Sequence, residues 1–138
     1  MTRTETLAGL TVRIDEPDGA PPVATVVLLH GWPDTDALWD DTVTALRGRF
    51  RCVRFTWPGF RDGDPEREAY ALADLLARLH QVVLATAGGQ PVTLLLHDWG
   101  CVFGYAYARA HPAQVARIVG MDIGDAGSRA HVAELQGK

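Results

Sequence analysis

The chain has 138 residues, enough for one domain with a real core and too few for two ordinary ones. With 47% hydrophobic and 22% charged residues and a formal net charge of -4, it offers no electrostatic attraction for nucleic acid or an anionic membrane, which leaves a small molecule as the expected partner. Cys52 and Cys101 form neither a C-x-x-C pair nor a disulfide framework, Met1 to Leu10 lacks the pattern of a leader, and no apolar run reaches membrane-spanning length; the expected location is the cytoplasm.

From the amino terminus, Leu7 to Asp15 alternates loosely, with Leu10, Val12 and Ile14 set against Thr11, Arg13 and Asp15. That pattern predicts an edge strand with one wet face. Glu16-Pro17-Asp18-Gly19-Ala20-Pro21-Pro22 is a turn or linker. Ala24 to Leu29 is a continuous β-rich apolar run, the mark of a strand covered on both faces, and it breaks off at His30-Gly31-Trp32-Pro33. Thr35 or Asp36 is placed to cap a helix carrying Leu38, Trp39, Val43 and Leu46 on one face, with Gly48 positioned for a left-handed stop. Arg51 to Trp57 reads as a short strand running into Pro58-Gly59-Phe60.

After Arg61-Asp62-Gly63, Asp64-Pro65-Glu66 is a helix start with proline in its first turn. Leu72, Leu75, Leu76, Leu79, Val82 and Val83 recur at three and four along that helix, and Gly88-Gly89 ends it. Val92 to Leu96 is a third buried strand and Trp99 to His111 a helix closed by Pro112. Gly100 and Gly104 on that helix each cost about 1 kcal/mol in propensity, so close approach of helix to strand is their expected purpose. Val115 to Ile123 is a fourth strand, apolar on both faces. Strand followed by helix and strand three times over implies an α/β fold with a mostly parallel sheet, flanking helices and right-handed crossovers.

One stretch organises the site. Leu96-His97-Asp98-Trp99-Gly100 puts a carboxylate at the carboxyl end of a buried strand and against a helix N-terminus, where open α/β sheets place their ligands. Together with His30-Gly31-Trp32-Pro33 after the first buried strand and Pro58-Gly59-Phe60 after the second, it resembles the amino-terminal half of the α/β-hydrolase fold, over roughly Ala24 to Asp125. The resemblance makes the turn at Asp98 the nucleophile elbow. It makes the amides of Trp99 and Trp32 the oxyanion donors, with His30, Gly31, Trp32 and Trp99 as the oxyanion and substrate-binding set.

An Asp at the nucleophile position resembles epoxide hydrolases and haloalkane dehalogenases. A carboxylate is ionised at neutral pH and can displace at saturated carbon unaided, forming an alkyl ester that a histidine-activated water then hydrolyses. The aromatic Trp32 leans toward the epoxide branch, while a tryptophan at Trp99 contributes its indole N–H to the halide in the dehalogenases. Asp122 stands where some family members keep the triad acid, others keeping it one strand later, and Asp125 competes with it for that role. The residue two before the nucleophile is usually small in the family, and here it is Leu96.

Plainer roles compete at several of these positions. Asp98 could merely cap its helix. His30 and His97 are expected to be structural, His80 and His111 to be surface residues, and His131 is the one histidine after the fourth strand, a displaced base at most. Trp39, Phe55 and Trp57 read as core or pocket wall, and Cys101 as a buried small hydrophobe. No metal or nucleotide motif occurs, and no cofactor is expected. Residues 1–125 are expected to form a partial core domain and 126–138 the start of a cap or a disordered tail. By the resemblance, the family's catalytic histidine and cap follow later in the chain, so the expected chemistry here is alkylation without release. The alternative is a non-catalytic fold fragment that pairs with itself or a complementary chain through the exposed fourth strand, a distinction that size-exclusion of the isolated chain makes.

Overall fold

In a computed structural model, residues 1–60 and 71–125 are described. The helix start expected at Asp64, the segment 126–138 and His131 lie outside the described residues. Six strands form one sheet: β1 (Thr2–Leu7), β2 (Leu10–Asp15), β3 (Thr25–Leu29), β4 (Arg51–Phe55), β5 (Val92–His97) and β6 (Val115–Met121), in the spatial order β1-β2-β4-β3-β5-β6. β1 and β2 are antiparallel, as are β2 and β4, whereas β3, β4, β5 and β6 run parallel. The helices are α1 (Asp40–Leu46), α2 (Leu72–Thr86) and α3 (Trp99–Ala110).

Both faces of the sheet are covered, which is why β3 has no polar side. Val27 and Leu29 join Ile14, Val53, Phe55, Leu94 and Leu96 in a core shared with Leu75, Leu79, Val82 and Val83 of α2 and Cys101 and Tyr107 of α3. Val26 and Leu28 point the other way, to Trp39, Val43 and Cys52. Each of these side chains stabilises the fold by roughly 1.5–3 kcal/mol on full burial, so the central strand carries the largest share and its end is rigidly placed.

The structure corrects four sequence expectations. Leu7 to Asp15 is not an edge strand: Ala8 and Gly9 turn at φ 51° and 75°, and β2 is flanked by β1 and β4. β1 is the true edge, and its polar Thr-Arg-Thr-Glu-Thr stretch carries too little apolar pattern to announce a strand. The helix after Thr35 is two pieces, a 3₁₀ turn over Asp36–Trp39 and then α1; Thr35 Oγ1 does cap it by accepting from Ala37 N at 3.3 Å, but Leu38 is exposed because the tighter turn rotates it off the apolar face. Gly48 is not a left-handed stop; Arg47 ends α1 in the right-handed region. His80 and His111 are half-buried, stacked with ring centroids 3.8 Å apart, and His80 Nδ1 lies 2.9 Å from the buried Tyr107 hydroxyl. The expectations for Trp39, Phe55, Trp57 and Cys101 hold, all four being buried. β6 is the outer strand beyond β5, with Ile118, Val119 and Met121 exposed.

Candidate active site

β3 and β5 are neighbours in the sheet, in register from Val26 against Thr93 to Leu29 against Leu96, so their carboxyl ends deliver His30-Gly31-Trp32 and His97-Asp98-Trp99 side by side. Asp98 takes φ 55° and ψ −125°. Such backbone costs an L residue about 1–3 kcal/mol and persists only where the surroundings over-determine it. Here its amide donates to Met121 O at 3.3 Å, its carbonyl accepts from Cys101 N at 2.9 Å in the first turn of α3, and its Oδ2 accepts from Trp32 N at 3.0 Å.

Two glycines make this turn fit. A Cβ on Gly31 would stand 2.4 Å from Asp98 Cβ and 2.6 Å from Trp99 N, and one on Gly100 would stand 2.1 Å from Leu29 O. Both positions demand hydrogen where any other residue carries carbon. Gly104 makes room for a side chain instead, since a Cβ there would lie 2.5 Å from both Leu96 methyls. The bulky Leu96, two before Asp98, is thus accommodated by a missing side chain on α3.

The Asp98 carboxylate faces the N-terminal amides of α3 and the loop after β3. The Trp99 amide first, and then the Trp32 amide, hold its carboxyl below the usual carboxylate range. It is ionised throughout the neutral range. The two backbone donors expected from sequence are therefore brought together, and they converge on this carboxylate. The indoles themselves are open to solvent: Trp32 is 64% exposed and edge-on to Phe60 at 5.9 Å, and Trp99 is 49% exposed and tilted against Phe103 at 6.2 Å. Phe103 in turn packs on the buried Trp57 at 4.7 Å. An ionised carboxylate rimmed by apolar rings suits an uncharged organic substrate.

His30 is fully buried, with both ring nitrogens engaged. Nε2 accepts from Trp57 N at 3.0 Å and Nδ1 donates to Gly31 O at 2.9 Å, while Trp57 Nε1 donates to His30 O at 3.1 Å. Burial pushes its pKa down, so it stays neutral and holds the loop to the end of β4. Asp122, just past β6, adopts φ 78° and places Oδ2 2.6 Å from His97 Nε2. Sequence reasoning missed that pair, and also Asp34, whose Oδ2 lies 4.0 Å from His97 Nδ1. The signal available was the extra Asp and His beside each of the two strand-end motifs.

Residues 24–135 match the family model described as the alpha/beta hydrolase fold. The chain belongs to this family. Similar sequences are the "Probable oxidoreductase EphD" of Mycobacterium tuberculosis, 38% identical over 70% of this chain and 18% of that protein, and epoxide hydrolase B of the same species, 32% identical over 80% and 31%. A haloalkane dehalogenase of Sphingobium indicum is 34% identical over 79% of this chain and 37% of its own length. Among solved structures, epoxide hydrolase VrEH1 from Vigna radiata superposes with a TM-score of 0.73 at 23% identity, over 94% of this chain and 41% of that one. The chain thus spans less than half the length of each of these relatives. The sheet is the mostly parallel one expected of an α/β hydrolase. Among the described residues no helix is long and apolar enough to cross a membrane.

Proposed function

We propose that Asp98 is the nucleophile of a hydrolase that opens an epoxide or a carbon–halogen bond through an alkyl-ester intermediate. The observation that carries this reading is the ionised Asp98 carboxylate with Oδ2 on the Trp32 amide. Oδ1 then attacks the saturated carbon; a carbon–oxygen bond forms as the bond to the epoxide oxygen or halide breaks, and the electron pair goes to the halide, which departs, or to the epoxide oxygen, which stays on the neighbouring carbon and takes a proton from water. Oδ2 remains at the backbone donors. When water adds to the ester carbonyl, negative charge returns to this same oxygen, where the amides need no reorganisation to receive it. Donation to the anion also explains why a carboxylate sits at a strained turn: a neutral side chain would gain less from the same two amides.

Hydrolysis of the ester needs a general base, and each described histidine has another engagement. His30 is tied to Trp57 and Gly31, His97 to Asp122, and His80 and His111 to each other and Tyr107. With no histidine among the described residues left over for that role, the ester is expected to accumulate. Incubation with a small aryl epoxide, and separately with a primary iodoalkane, followed by intact-protein mass spectrometry, tests this. The expected result is a single adduct, of the whole reagent's mass for the epoxide and of the reagent less HI for the iodoalkane, that maps to Asp98 and is lost in Asp98→Asn; an adduct that survives this substitution refutes the assignment.

A further inference from the structure

The three strand ends that build the site have no backbone ladder beyond them. β3, β5 and β6 lie side by side, and the last sheet pairings are Leu29 with Leu96 and His97 with Met121. Past that line Asp98 N still reaches Met121 O at 3.3 Å and His30 ties its loop to Trp57, while the loop bearing Trp32 and the turn bearing Asp98 meet through the 3.0 Å hydrogen bond from Trp32 N to Asp98 Oδ2. His97 sits on the central one of the three strands. Its Nε2 is 2.6 Å from Asp122 Oδ2 beyond β6, and its Nδ1, buried and without a hydrogen-bond partner, faces Asp34 Oδ2 at 4.0 Å on the loop beyond β3. Asp34 N donates to Gly31 O at 3.0 Å, so the Asp34 carboxylate rides on the same turn that presents Trp32 N.

We propose that His97 is a positioning residue for attack by Asp98: it spans the ends of β3, β5 and β6 between Asp34 and Asp122, and so holds the Trp32 amide on the nucleophile. This rests on the reading of Asp98 as nucleophile but concerns a different group. It also gives Asp122 a role other than that of triad acid. A triad acid acts through the histidine that activates water, and its loss leaves the alkylation step untouched; one end of a brace affects alkylation itself. The left-handed backbone of Asp122 supports the brace, because its carboxylate is held on His97 although no glycine relieves the turn.

The test compares His97→Leu, His97→Gln and Asp122→Ala with the natural 138-residue chain, by two readouts. The first is the rate of adduct formation. The second, independent of any reaction, is the pH titration of the Trp32 backbone amide by ¹⁵N–¹H NMR, since an amide that donates to a carboxylate follows its ionisation. In His97→Leu and Asp122→Ala the Trp32 amide is expected to lose its response to Asp98, and alkylation to slow by about tenfold or more; in His97→Gln, which keeps an N–H for Asp122, both are expected to stay close to the natural chain. Asp122 is 66% exposed, so its truncation leaves no buried hole and serves if His97→Leu does not fold. Retention of both the Trp32 response and the alkylation rate in Asp122→Ala overturns the brace. If the natural chain forms no adduct while the Trp32 response is lost in the variants, the brace stands and the nucleophile assignment falls.

Discussion

Substituting Gly100 by Ala tests how closely α3 must approach β3. An added Cβ would lie 2.1 Å from Leu29 O, 2.7 Å from Leu29 C and 2.9 Å from His30 O. All three are backbone atoms of the central strand and its immediate continuation, so no side chain can swing aside. Comfortable contacts to carbon lie at about 3.5–4.0 Å, and α3 would have to retreat by about 1 Å or more. Overpacking of this kind costs about 1–3 kcal/mol, and backbone obstacles argue for the upper end; the gain in helix propensity from Gly to Ala returns about 1 kcal/mol. The net expectation is a loss of about 2 kcal/mol, or a melting temperature lower by roughly 6–10 °C for a domain of this size. Two companions calibrate it. At Gly104 the obstacle is the Leu96 side chain, which can yield in part, so the loss should be smaller; at Gly48, with nothing within 4 Å and no positive φ, Ala should be neutral or stabilising by up to about 1 kcal/mol. Thermal and urea unfolding of the three variants decide it. A Gly100→Ala protein as stable as the natural chain refutes the close-approach argument.

Two further predictions concern protons. Because the Trp99 and Trp32 amides depress the Asp98 carboxyl, the rate of alkylation by an iodoalkane should be flat from pH 8 to pH 5 and fall only below the ordinary carboxylate value of about 3.9; a half-maximal rate near pH 6 would contradict the geometry. Burial depresses His30 below its unfolded value of about 6.5, so its contribution to stability is complete above that pH and is lost as the pH falls through the folded value. The urea midpoint should decline from pH 7 to pH 5, and His30→Gln should flatten that decline while costing about 1–3 kcal/mol at pH 8 through the disturbed bond to Trp57 N; an unchanged slope would show that His30 is not the group responsible.

The parallel half of the sheet was legible because strands covered on both faces have no polar alternation, and Ala24 to Leu29 could not be anything else of that length. The sharp turn at Asp98 was legible for a different reason: a lone Asp stands where an apolar strand gives way at once to an apolar helix. β1 was not legible. Its neighbour β2 supplies the apolar face and β1 only completes the hairpin, so six residues dominated by Thr, Arg and Glu carry no burial signal. Nor was the accommodation of Leu96, since the space that admits it is at Gly104, eight residues away on another element. The link between His97 and Asp122 was hidden in the same way: each residue was noticed, but their contact depends on β6 lying next to β5, which composition and spacing do not state.

These contacts tie the stability of the fold to the reactivity proposed for the site. Asp98 holds a backbone conformation that disfavours any residue with a Cβ, and three neighbouring elements enforce it: β6 through Met121 O, α3 through the Cys101 amide, and the β3 loop through Trp32 N. Each of those restraints also has a chemical consequence. The α3 restraint points the Trp99 amide at the carboxylate, the loop restraint supplies the second donor, and the β6 restraint holds the backbone from which the carboxylate projects. Relaxing the strain by moving any of the three would therefore weaken the electrostatic environment that holds the carboxyl below the usual carboxylate range. The rigidity comes from below, where Leu29, Leu94 and Leu96 are fully buried between the helices and the neighbouring strands. A core substitution at Leu96 should thus reach Asp98 more directly than its distance in chemistry suggests, because the strand it anchors is the base on which the strained turn is built.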